Sequence, residues 1–349
     1  MAKGIVWVTT TWIQGLEDPM RHLRPLEREA GLEVRIDSTG EEMTEEEVIR
    51  GLPGVVVVMP SNDPYNERTL AAADSLRMIA RTGVGLNSID LAAATRRGVV
   101  VTNAQGQNAD SVAEHTLGLM LSVARRIPEV DRKVRAGEWG GLRTPTAPLR
   151  GKTLGLIGLG NIGKRVARRA AAFGMEILAH DIVRDERFAA EVGVYFHPLE
   201  EVARRADFLS CHVPLTPQTR GMVSRELLRR MKPGAYLINT SRGPVVDLNA
   251  LAEELGRGTI RGAALDVLPK EPPERPHPIF ALENVVLSPH MAGLGEDACE
   301  NSLRHAVGCV LDFLAGRRPV DVANPEVLER LGIRDGGGEP PGRPGGKGN

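Results

Sequence analysis

Residues 153–163 have the sequence Thr-Leu-Gly-Leu-Ile-Gly-Leu-Gly-Asn-Ile-Gly, and this stretch decides the fold. Leu154–Ile157 is a short apolar run bounded by glycines, which is typical of a buried parallel strand. Gly158, Gly160 and Gly163 follow with the spacing G-x-G-x-x-G. In this pattern the first glycine permits a tight turn, the second lets the backbone approach a pyrophosphate, and the third lets a helix pack closely on the strand.

The segment after the glycines completes the pattern of a dinucleotide site. An Ala/Arg-rich stretch predicts a helix, whose first turn would offer unpaired N–H groups and a partial positive charge to the pyrophosphate. Glu176–Ala179 predicts a second buried strand, and Asp181 follows it, 18 positions after Gly163. That spacing is close to the one expected of an acid that accepts a ribose 2′-OH. A lone G-x-G-x-x-G also occurs in plain turns, but the full order of strand, glycines, helix, strand and acid favours dinucleotide binding.

The acid at Asp181 favours NAD as the cofactor, because its carboxylate would repel the 2′-phosphate of NADP. Arg184 lies nearby in the sequence, and an arginine beside the ribose can accommodate that phosphate. NAD is therefore the preferred prediction, and NADP stays open as the alternative.

The composition is that of a globular chain without a bulk affinity for polyanions. Its length of 349 residues suits two domains of ordinary size. Of these residues, 42% are hydrophobic, and the formal net charge of the chain is −1. Because the net charge is close to zero, we expect no nucleic-acid partner. The longest apolar runs, such as Leu117–Ala124, are too short to span a bilayer, so we also expect no membrane partner. The three cysteines show no disulfide or metal pattern and the N terminus lacks a signal-peptide layout, so we expect a cytoplasmic protein.

Strands alternate with helices along most of the chain. The N-terminal part contains five predicted strands, at Ile5–Val8, Val34–Ile36, Val55–Met59, Leu76–Ala80 and Val99–Val101. Six more follow, at Leu154–Ile157, Glu176–Ala179, Phe208–Val213, Ala235–Asn239, Arg261–Val267 and Val285–Leu287. This alternation predicts an α/β fold with two doubly wound parallel-sheet domains.

The order of the elements also predicts an inserted domain. A predicted helix at about residues 295–314 would return to cover the first domain. We therefore predict a Rossmann NAD-binding domain at residues 103–293, inserted in a discontinuous, flavodoxin-like substrate-binding domain made of residues 1–102 and 294–331. Residues 335–349 are rich in Gly and Pro and predict a disordered tail.

Four side chains suited to acid–base and anion-binding chemistry lie beyond predicted strand ends, where doubly wound sheets bind ligands. Arg242, Asp266 and His290 each follow a strand, and Glu271 lies in a Pro-rich loop after Asp266. A lone histidine there is usually structural, but Arg, Glu and His on one cofactor rim indicate catalysis. Histidine can protonate a developing alkoxide near neutral pH, a carboxylate stabilises the imidazolium, and an arginine binds a carboxylate in a fork.

Two other stretches leave both functional and structural interpretations open. Gly83-Val84-Gly85 lies just past a predicted strand, where backbone amides can hold an anion, but it suits an ordinary turn capped by Asp90 equally well. Glu114 and His115 lie on a largely apolar predicted helix. Their residue types suit catalysis, yet structural polar groups on a buried helix are the preferred interpretation.

From about Val55 to Val322 the sequence resembles the D-isomer-specific 2-hydroxyacid dehydrogenases, in the branch of the 3-phosphoglycerate dehydrogenases and glyoxylate/hydroxypyruvate reductases. The segments that carry the resemblance are Arg81–Asp90, Val112-Ala113-Glu114, Leu156–Gly163, His212–Thr216, Met231–Gly234, Asn239–Gly243, Gly262–Val267, Glu271-Pro272-Pro273 and Ser288-Pro289-His290. The resemblance implies an NAD-dependent oxidoreductase that moves a hydride between nicotinamide and a small 2-oxo or D-2-hydroxy acid. It also implies a homodimer joined through the cofactor domains, and no metal.

The resemblance also implies roles for individual residues. His290 is similar to the catalytic acid/base, Glu271 to its carboxylate partner and Arg242 to the arginine that binds the 2-oxo acid. The positions similar to cofactor contacts are Gly158, Gly160, Asn161, Ile162, Gly163, Asp181, Val213, Thr240, Ser241 and Asp266, the last of which orients the nicotinamide amide. The positions similar to substrate contacts are Ser61, Val84, Gly85 and Arg242, with the amides of Val84 and Gly85 holding the substrate carboxylate.

The resemblance leaves the substrate open between two nearly balanced predictions, phosphoglycerate dehydrogenase-like activity and glyoxylate/hydroxypyruvate reduction. Phosphoglycerate-specific relatives often carry an arginine just before the serine that matches Ser61, and this chain has Pro60 there. Asn161 also stands where arginine is common, although its backbone N–H can still serve a pyrophosphate. An alternative of another class is an NAD-sensing binding protein resembling transcriptional corepressors, which the intact catalytic set does not exclude.

Overall fold

The computed structural model describes residues 3–140 and 145–333, and the chain divides into two compact units. One unit, called the central unit here, spans residues 109–295. The other, called the flanking unit, combines residues 3–108 with residues 296–333. The predicted domain boundaries lie at 102/103 and 293/294, a few residues before those of the units. The predicted disordered tail, residues 335–349, lies outside the described residues.

Twelve strands and thirteen α-helices are present in the described residues. The strands are β1 (Ile5–Val8), β2 (Glu33–Ile36), β3 (Val55–Met59), β4 (Met78–Ala80), β5 (Val100–Thr102), β6 (Thr153–Ile157), β7 (Glu176–His180), β8 (Val194–Phe196), β9 (Phe208–Cys211), β10 (Tyr236–Asn239), β11 (Gly262–Leu265) and β12 (Val285–Leu287). The helices are α1 (Met20–Arg28), α2 (Glu45–Gly51), α3 (Glu67–Ala71), α4 (Leu91–Arg96), α5 (Ala109–Ala124), α6 (Ile127–Arg135), α7 (Asn161–Ala172), α8 (Glu186–Val192), α9 (Leu199–Arg205), α10 (Arg225–Arg230), α11 (Leu248–Gly256), α12 (Glu296–Leu314) and α13 (Glu326–Arg330).

The flanking unit is built on a five-stranded sheet in the order β2-β1-β3-β4-β5, and all its strand pairs are parallel. Its short strands are nearly continuous apolar runs, because helices cover both faces of a parallel sheet. Val6 and Val57 belong to the hydrophobic core on one face, together with Val307 of α12, whereas Trp7 and Val58 belong to the core on the other face. The predicted α/β fold class is confirmed.

Local sequence signals explain several helix starts. Thr44 precedes α2 and accepts a hydrogen bond from the Glu47 amide, while the Glu47 carboxylate accepts one from the Thr44 amide at 2.8 Å. This capping box satisfies two backbone donors at the start of the helix. Ser224 caps α10 in a simpler way by accepting from the amide of Leu227. A threonine three positions before a glutamate and a serine just before a helix are both local sequence signals of a helix start.

The central unit holds a seven-stranded sheet in the order β12-β11-β10-β9-β6-β7-β8. The chain starts at β6 in the middle, moves outward through β7 and β8, and then returns to β9 on the other side. The carboxyl ends of β6 and β9 therefore flank the switch point, where doubly wound sheets bind ligands. Six strands were predicted here, and the edge strand β8 was missed. It has only three residues, and its central residue, Tyr195, is exposed, so it leaves little hydrophobic pattern.

The edge strand β5 of the flanking unit is covered by residues 322–324. The Ala323 amide donates to the carbonyl of Val101 at 2.8 Å. The side chain of Asn324 accepts from the Val101 amide at 2.8 Å and donates to the carbonyl of Val99 at 2.9 Å. Asn324 is almost completely buried. One amide side chain thus satisfies two backbone groups that an edge strand would otherwise leave unpaired.

We predict that Asn324→Ala lowers the free energy of unfolding of the flanking unit by about 2 kcal/mol, because it leaves a buried N–H and a buried carbonyl without partners. Urea denaturation followed by tryptophan fluorescence measures the change, since Trp7 and Trp12 lie in this unit. Asn87→Ala is the matched control, because Asn87 is exposed. Equal urea midpoints for the two variants would contradict this role of Asn324.

Candidate active site

The predicted glycine loop occupies the switch point of the central unit. Gly158 follows β6 with a φ of 98°, a conformation that favours glycine. A Cβ at Gly163 would lie 2.3 Å from the carbonyl oxygen of Gly158, so only glycine allows α7 to pack this close to the loop. At Gly160 a Cβ would meet nothing within 4 Å. The space beside Gly160 is thus open, and it adjoins the unpaired first-turn amides of α7, including those of Asn161 and Ile162.

The residues at this loop fit a dinucleotide pyrophosphate. Backbone amides and the positive end of the α7 dipole converge on the open space next to Gly160. The loop after β9 borders it, since a Cβ on Gly158 would lie 2.7 Å from the carbonyl oxygen of His212 and 3.0 Å from a methyl carbon of Val213. Val213 is therefore beside the glycine loop, and its contact with the cofactor stays a prediction.

Asp181 is held next to the glycine loop. One carboxylate oxygen accepts from the Leu159 amide at 2.5 Å, and the other accepts from the Val183 amide at 2.9 Å. The guanidinium carbon of Arg184 lies 5.6 Å from the centre of the Phe196 ring, so this side chain stacks on an aromatic residue of β8. The carboxylate thus lies just after β7 and beside the glycine loop, and its bond to a ribose 2′-OH stays a prediction.

His290 and Glu271 form a direct pair. Nδ1 of His290 lies 2.6 Å from a carboxylate oxygen of Glu271, and the other Glu271 oxygen accepts from the Leu268 amide at 2.8 Å. Burial raises the pKa of Glu271, but the hydrogen bond and charge of His290 outweigh it and hold that pKa below its usual value. The carboxylate is therefore ionised at neutral pH. It orients the imidazole through Nδ1, and Nε2 has no hydrogen-bond partner among the described residues.

His290 has a backbone conformation that is uncommon for a side chain other than glycine. Its φ is 53°, in the left-handed region. Its amide donates to the carbonyl of Asp266 at 2.7 Å, which ties the turn after β12 to the end of β11. Such conformations persist only where surrounding contacts fix them, and they cluster at functional sites.

Arg242 follows β10 on a turn that lies against the loop carrying Glu271. A Cβ at Gly243 would lie 2.0 Å from the carbonyl carbon of Leu268, so glycine is required where the two loops meet. The side chain of Asn239 donates to the carbonyl of Arg242 at 3.0 Å and fixes the turn. Burial lowers the pKa of Arg242, and the Glu271 charge opposes that effect. The structure thus brings the environments of Arg242, Glu271 and His290 together on one edge of the central unit.

Thr240, Ser241 and Asp266 also lie at this edge. Their side chains form hydrogen bonds with other residues of the central unit. The Thr240 hydroxyl lies 2.9 Å from that of Thr116, and the Ser241 hydroxyl donates to the Asn239 side chain at 2.8 Å. Asp266, only 2% exposed, accepts from the Ser288 hydroxyl and from two backbone amides. Their cofactor roles stay predictions. The sequence did not indicate that these side chains also hold the site's turns in place.

Three of the four predicted substrate residues, Ser61, Val84 and Gly85, lie in the flanking unit, at the carboxyl edge of its sheet, whereas Arg242 belongs to the central unit. The three carbonyls of residues 83–85 accept from the Ala104 amide at 3.0 Å, the Asn103 side chain at 2.7 Å and the Arg81 guanidinium. In the described part of the chain, the amides of Val84 and Gly85 have no such partner. The loop therefore presents free donors, which suit a carboxylate. Arg81 and Asn103 were missed by the sequence prediction, although each directly follows a strand.

Ser61 lies on the neighbouring loop, which follows β3. Its hydroxyl accepts from the Thr11 amide at 3.1 Å and lies 3.1 Å from the Thr11 hydroxyl. The next residue, Asn62, accepts from the Arg81 guanidinium at 2.5 Å, which links the loops after β3 and β4. The three predicted substrate residues of this unit are therefore on adjoining, cross-linked loops.

Residues 3–140 and 145–333 contain no group of three or more His, Cys, Asp and Glu side chains that could hold a metal ion. None of the helices they form has both the length and the apolar character needed to cross a lipid bilayer.

Similarity to known proteins agrees with this geometry. Residues 117–292 match the model of the NAD-binding domain of D-isomer specific 2-hydroxyacid dehydrogenases. A glyoxylate reductase of Korarchaeum cryptofilum is 42% identical over 271 residues, which cover 76% of this chain and 82% of that protein. A D-3-phosphoglycerate dehydrogenase of Archaeoglobus fulgidus is 41% identical over 272 residues, which cover 78% of this chain and 51% of that protein. The chain thus spans about half the length of this second relative.

A solved structure extends the similarity to nearly the whole chain. The D-lactate dehydrogenase of Aquifex aeolicus, solved in complex with NAD and lactic acid, has a TM-score of 0.76 at 28% identity, with 93% of this chain and 99% of that chain covered. The match to the family's NAD-binding domain and the similarity to a structure solved with NAD confirm NAD as the cofactor. The chain belongs to the D-isomer specific 2-hydroxyacid dehydrogenases, a family of NAD-dependent oxidoreductases.

Proposed function

We propose that the chain interconverts small 2-oxo acids and D-2-hydroxy acids, with His290 as acid/base, Glu271 as its partner and Arg242 as the cation that binds the 2-oxo acid. The observation that carries the proposal is the 2.6 Å pair of His290 and Glu271 on the same sheet edge as the glycine loop. An ionised carboxylate at Nδ1 and a constrained backbone hold the imidazole in one orientation. A general acid/base requires such a fixed ring, whereas a purely structural histidine does not.

The chain's residues have distinct tasks in the proposed reaction. Bound nicotinamide supplies or accepts the hydride at the carbon that bears the oxygen. In the direction of reduction, Nε2 of His290 donates a proton to the oxygen as it becomes an alkoxide, and Glu271 stabilises the imidazolium beforehand. In oxidation the neutral ring accepts that proton. Arg242 polarises the carbonyl or binds the carboxylate through its planar fork.

The flanking unit is proposed to hold the substrate. The free amides of Val84 and Gly85 would donate hydrogen bonds to the substrate carboxylate, with Ser61 on the adjoining loop. This arrangement uses neutral dipoles, which can bind a small anion without an added cation. The domain roles predicted from the sequence, NAD binding in the central unit and substrate binding in the flanking unit, follow from this assignment.

The charge of the flanking unit's carboxyl edge favours an unphosphorylated substrate. The stretches that directly follow its five strands contain a single basic residue, Arg81. That side chain is 6% exposed and bonds to the Gly85 carbonyl and to Asn62. Arginine and lysine side chains make the stronger hydrogen bonds to a phosphate dianion, because these bonds are charge-assisted. Glyoxylate and hydroxypyruvate are therefore the preferred substrates, and the phosphoglycerate pair is the second candidate because of the 41% identical relative.

The assembly and location of the protein are also proposed. Ile127, Val134 and Trp139 are 53%, 40% and 73% exposed on and just after α6, an apolar set that suits a homodimer joined through the central unit. The cysteines in the described residues, Cys211, Cys299 and Cys309, are free and buried. Free thiols suit a reducing compartment, and we propose the cytoplasm.

The proposal is tested by a steady-state panel of glyoxylate, hydroxypyruvate and phosphohydroxypyruvate with NADH and with NADPH. We expect the highest kcat/KM with NADH and one of the two unphosphorylated acids. Preference for phosphohydroxypyruvate would make the second candidate correct. Tight NADH binding without turnover of any 2-oxo acid would support the NAD-sensing binding protein instead.

We predict that His290→Ala lowers kcat by about 10²–10⁴-fold, the usual contribution of one general acid. The dissociation constant of NADH, measured by fluorescence, should change little, since the pyrophosphate is bound at the other end of the site. His277→Ala is the control, because the His277 ring bonds to Asn249 and to its own turn. A large loss of NADH affinity in His290→Ala would assign the residue to the cofactor.

We predict that Asp181→Ala lowers the ratio of kcat/KM for NADH to that for NADPH by about tenfold, which corresponds to about 1.4 kcal/mol of discrimination. The KM for both cofactors should rise because the Leu159 amide loses its acceptor, so the ratio is the informative quantity. Glu186→Ala is the matched control, being exposed and in the same segment. An unchanged ratio would remove the role of Asp181 in cofactor choice.

A further inference from the structure

Helix α5 contacts both turns that carry the candidate catalytic residues. Nε2 of His115 lies 3.0 Å from the Ser288 hydroxyl and 3.5 Å from a carboxylate oxygen of Asp266. The next residue, Thr116, lies 2.9 Å from the Thr240 hydroxyl on the turn of Arg242. Two consecutive side chains of one helix thus reach two separate strand ends in the central unit.

The donors and acceptors around Ser288 show that Nε2 of His115 carries a proton. Ser288 has one hydroxyl proton, which it donates to Asp266 at 2.6 Å. The hydroxyl can therefore only accept from His115, so Nε2 of His115 carries a proton. The Asp266 oxygen 3.5 Å away is also an acceptor, which favours the same tautomer. His115 is thus a donor that points toward the turn of His290.

Asp266, which accepts the Ser288 hydroxyl proton, also binds the backbone around His290. The Asp266 carboxylate accepts from the amides of Met291 and Ala292, both at 3.0 Å, and the Asp266 carbonyl accepts from the His290 amide. Burial raises the pKa of Asp266, but the hydrogen bonds, first of all that from His115, outweigh it and lower that pKa. An ionised Asp266 binds the amides more strongly than a neutral one.

We propose that His115 is a positioning residue for His290: by donating to Ser288 and toward Asp266, it holds the turn that presents the imidazole to the substrate. The assignment rests on the proposed function of His290. His115 does not touch the reacting atoms, so its loss changes where His290 lies rather than which groups react. A displacement of about 1 Å at a reacting group is enough to cost a large factor in rate.

Kinetics of three variants test the proposal. His115→Leu keeps the bulk and removes the donor, His115→Gln restores an N–H at similar reach, and Glu114→Gln is the control on the same helix. Glu114 is exposed and pairs with Arg169, away from the turn of His290. We expect His115→Leu to lower kcat by about tenfold or more with the NADH dissociation constant within about twofold. His115→Gln should recover most of kcat, and Glu114→Gln should match the wild type.

Three results overturn the proposal. They are an unchanged kcat in His115→Leu, a parallel loss of kcat and NADH affinity, and a failure of His115→Gln to recover kcat.

An NMR measurement separates this proposal from the proposed function. The imidazole signals of His290 should shift in His115→Leu and stay in place in Glu114→Gln, whether or not a 2-oxo acid is turned over. If the wild type reduces no 2-oxo acid but the His290 signals shift, the proposed function fails and the positioning contact stands. Unmoved His290 signals in His115→Leu overturn the positioning role.

Discussion

The candidate active site depends on the hydrogen bonds that the buried carboxylate of Asp266 accepts. Its two oxygens accept from a serine hydroxyl and two backbone amides, and a histidine N–H lies 3.5 Å away. A carboxylate offers about four acceptor positions, so these donors nearly saturate it. Because a buried charge is costly without such partners, the turn after β12 has one favourable arrangement. His290 has its unusual backbone conformation within that arrangement.

Both units present backbone amides at the carboxyl edge of their sheets. In the central unit the glycine loop and the start of α7 direct amides at the space beside Gly160. In the flanking unit the carbonyls of residues 83–85 are tied back, which leaves the amides of the same loop available. Backbone dipoles bind anions at fixed positions and need no flexible side chain. Arg242 is the charged group that the central unit adds, and its proposed task is to polarise the carbonyl bond of the substrate.

Much of this arrangement was predictable from the sequence because its signals are local. The glycine spacing, the acid at Asp181 and the polar residues after strand ends each belong to a few consecutive positions. The fold class and the five strands of the flanking unit were predicted correctly for the same reason. The edge strand β8 was missed because a strand of three residues, of which only the first is buried, carries too little pattern. The contacts of His115 and Asn324 were missed because their partners are more than 150 positions away in the chain.

The cover over β5 has a consequence for incomplete chains. Residues 322–324 close an edge of the sheet that is made of Val100–Thr102, and they come late in synthesis. A polypeptide that stopped before Val322 would keep all five strands of that sheet but expose a row of unsatisfied amides and carbonyls. Bare edges of this kind pair with one another between molecules. Truncated products of this chain should therefore self-associate into insoluble material rather than persist as inactive monomers.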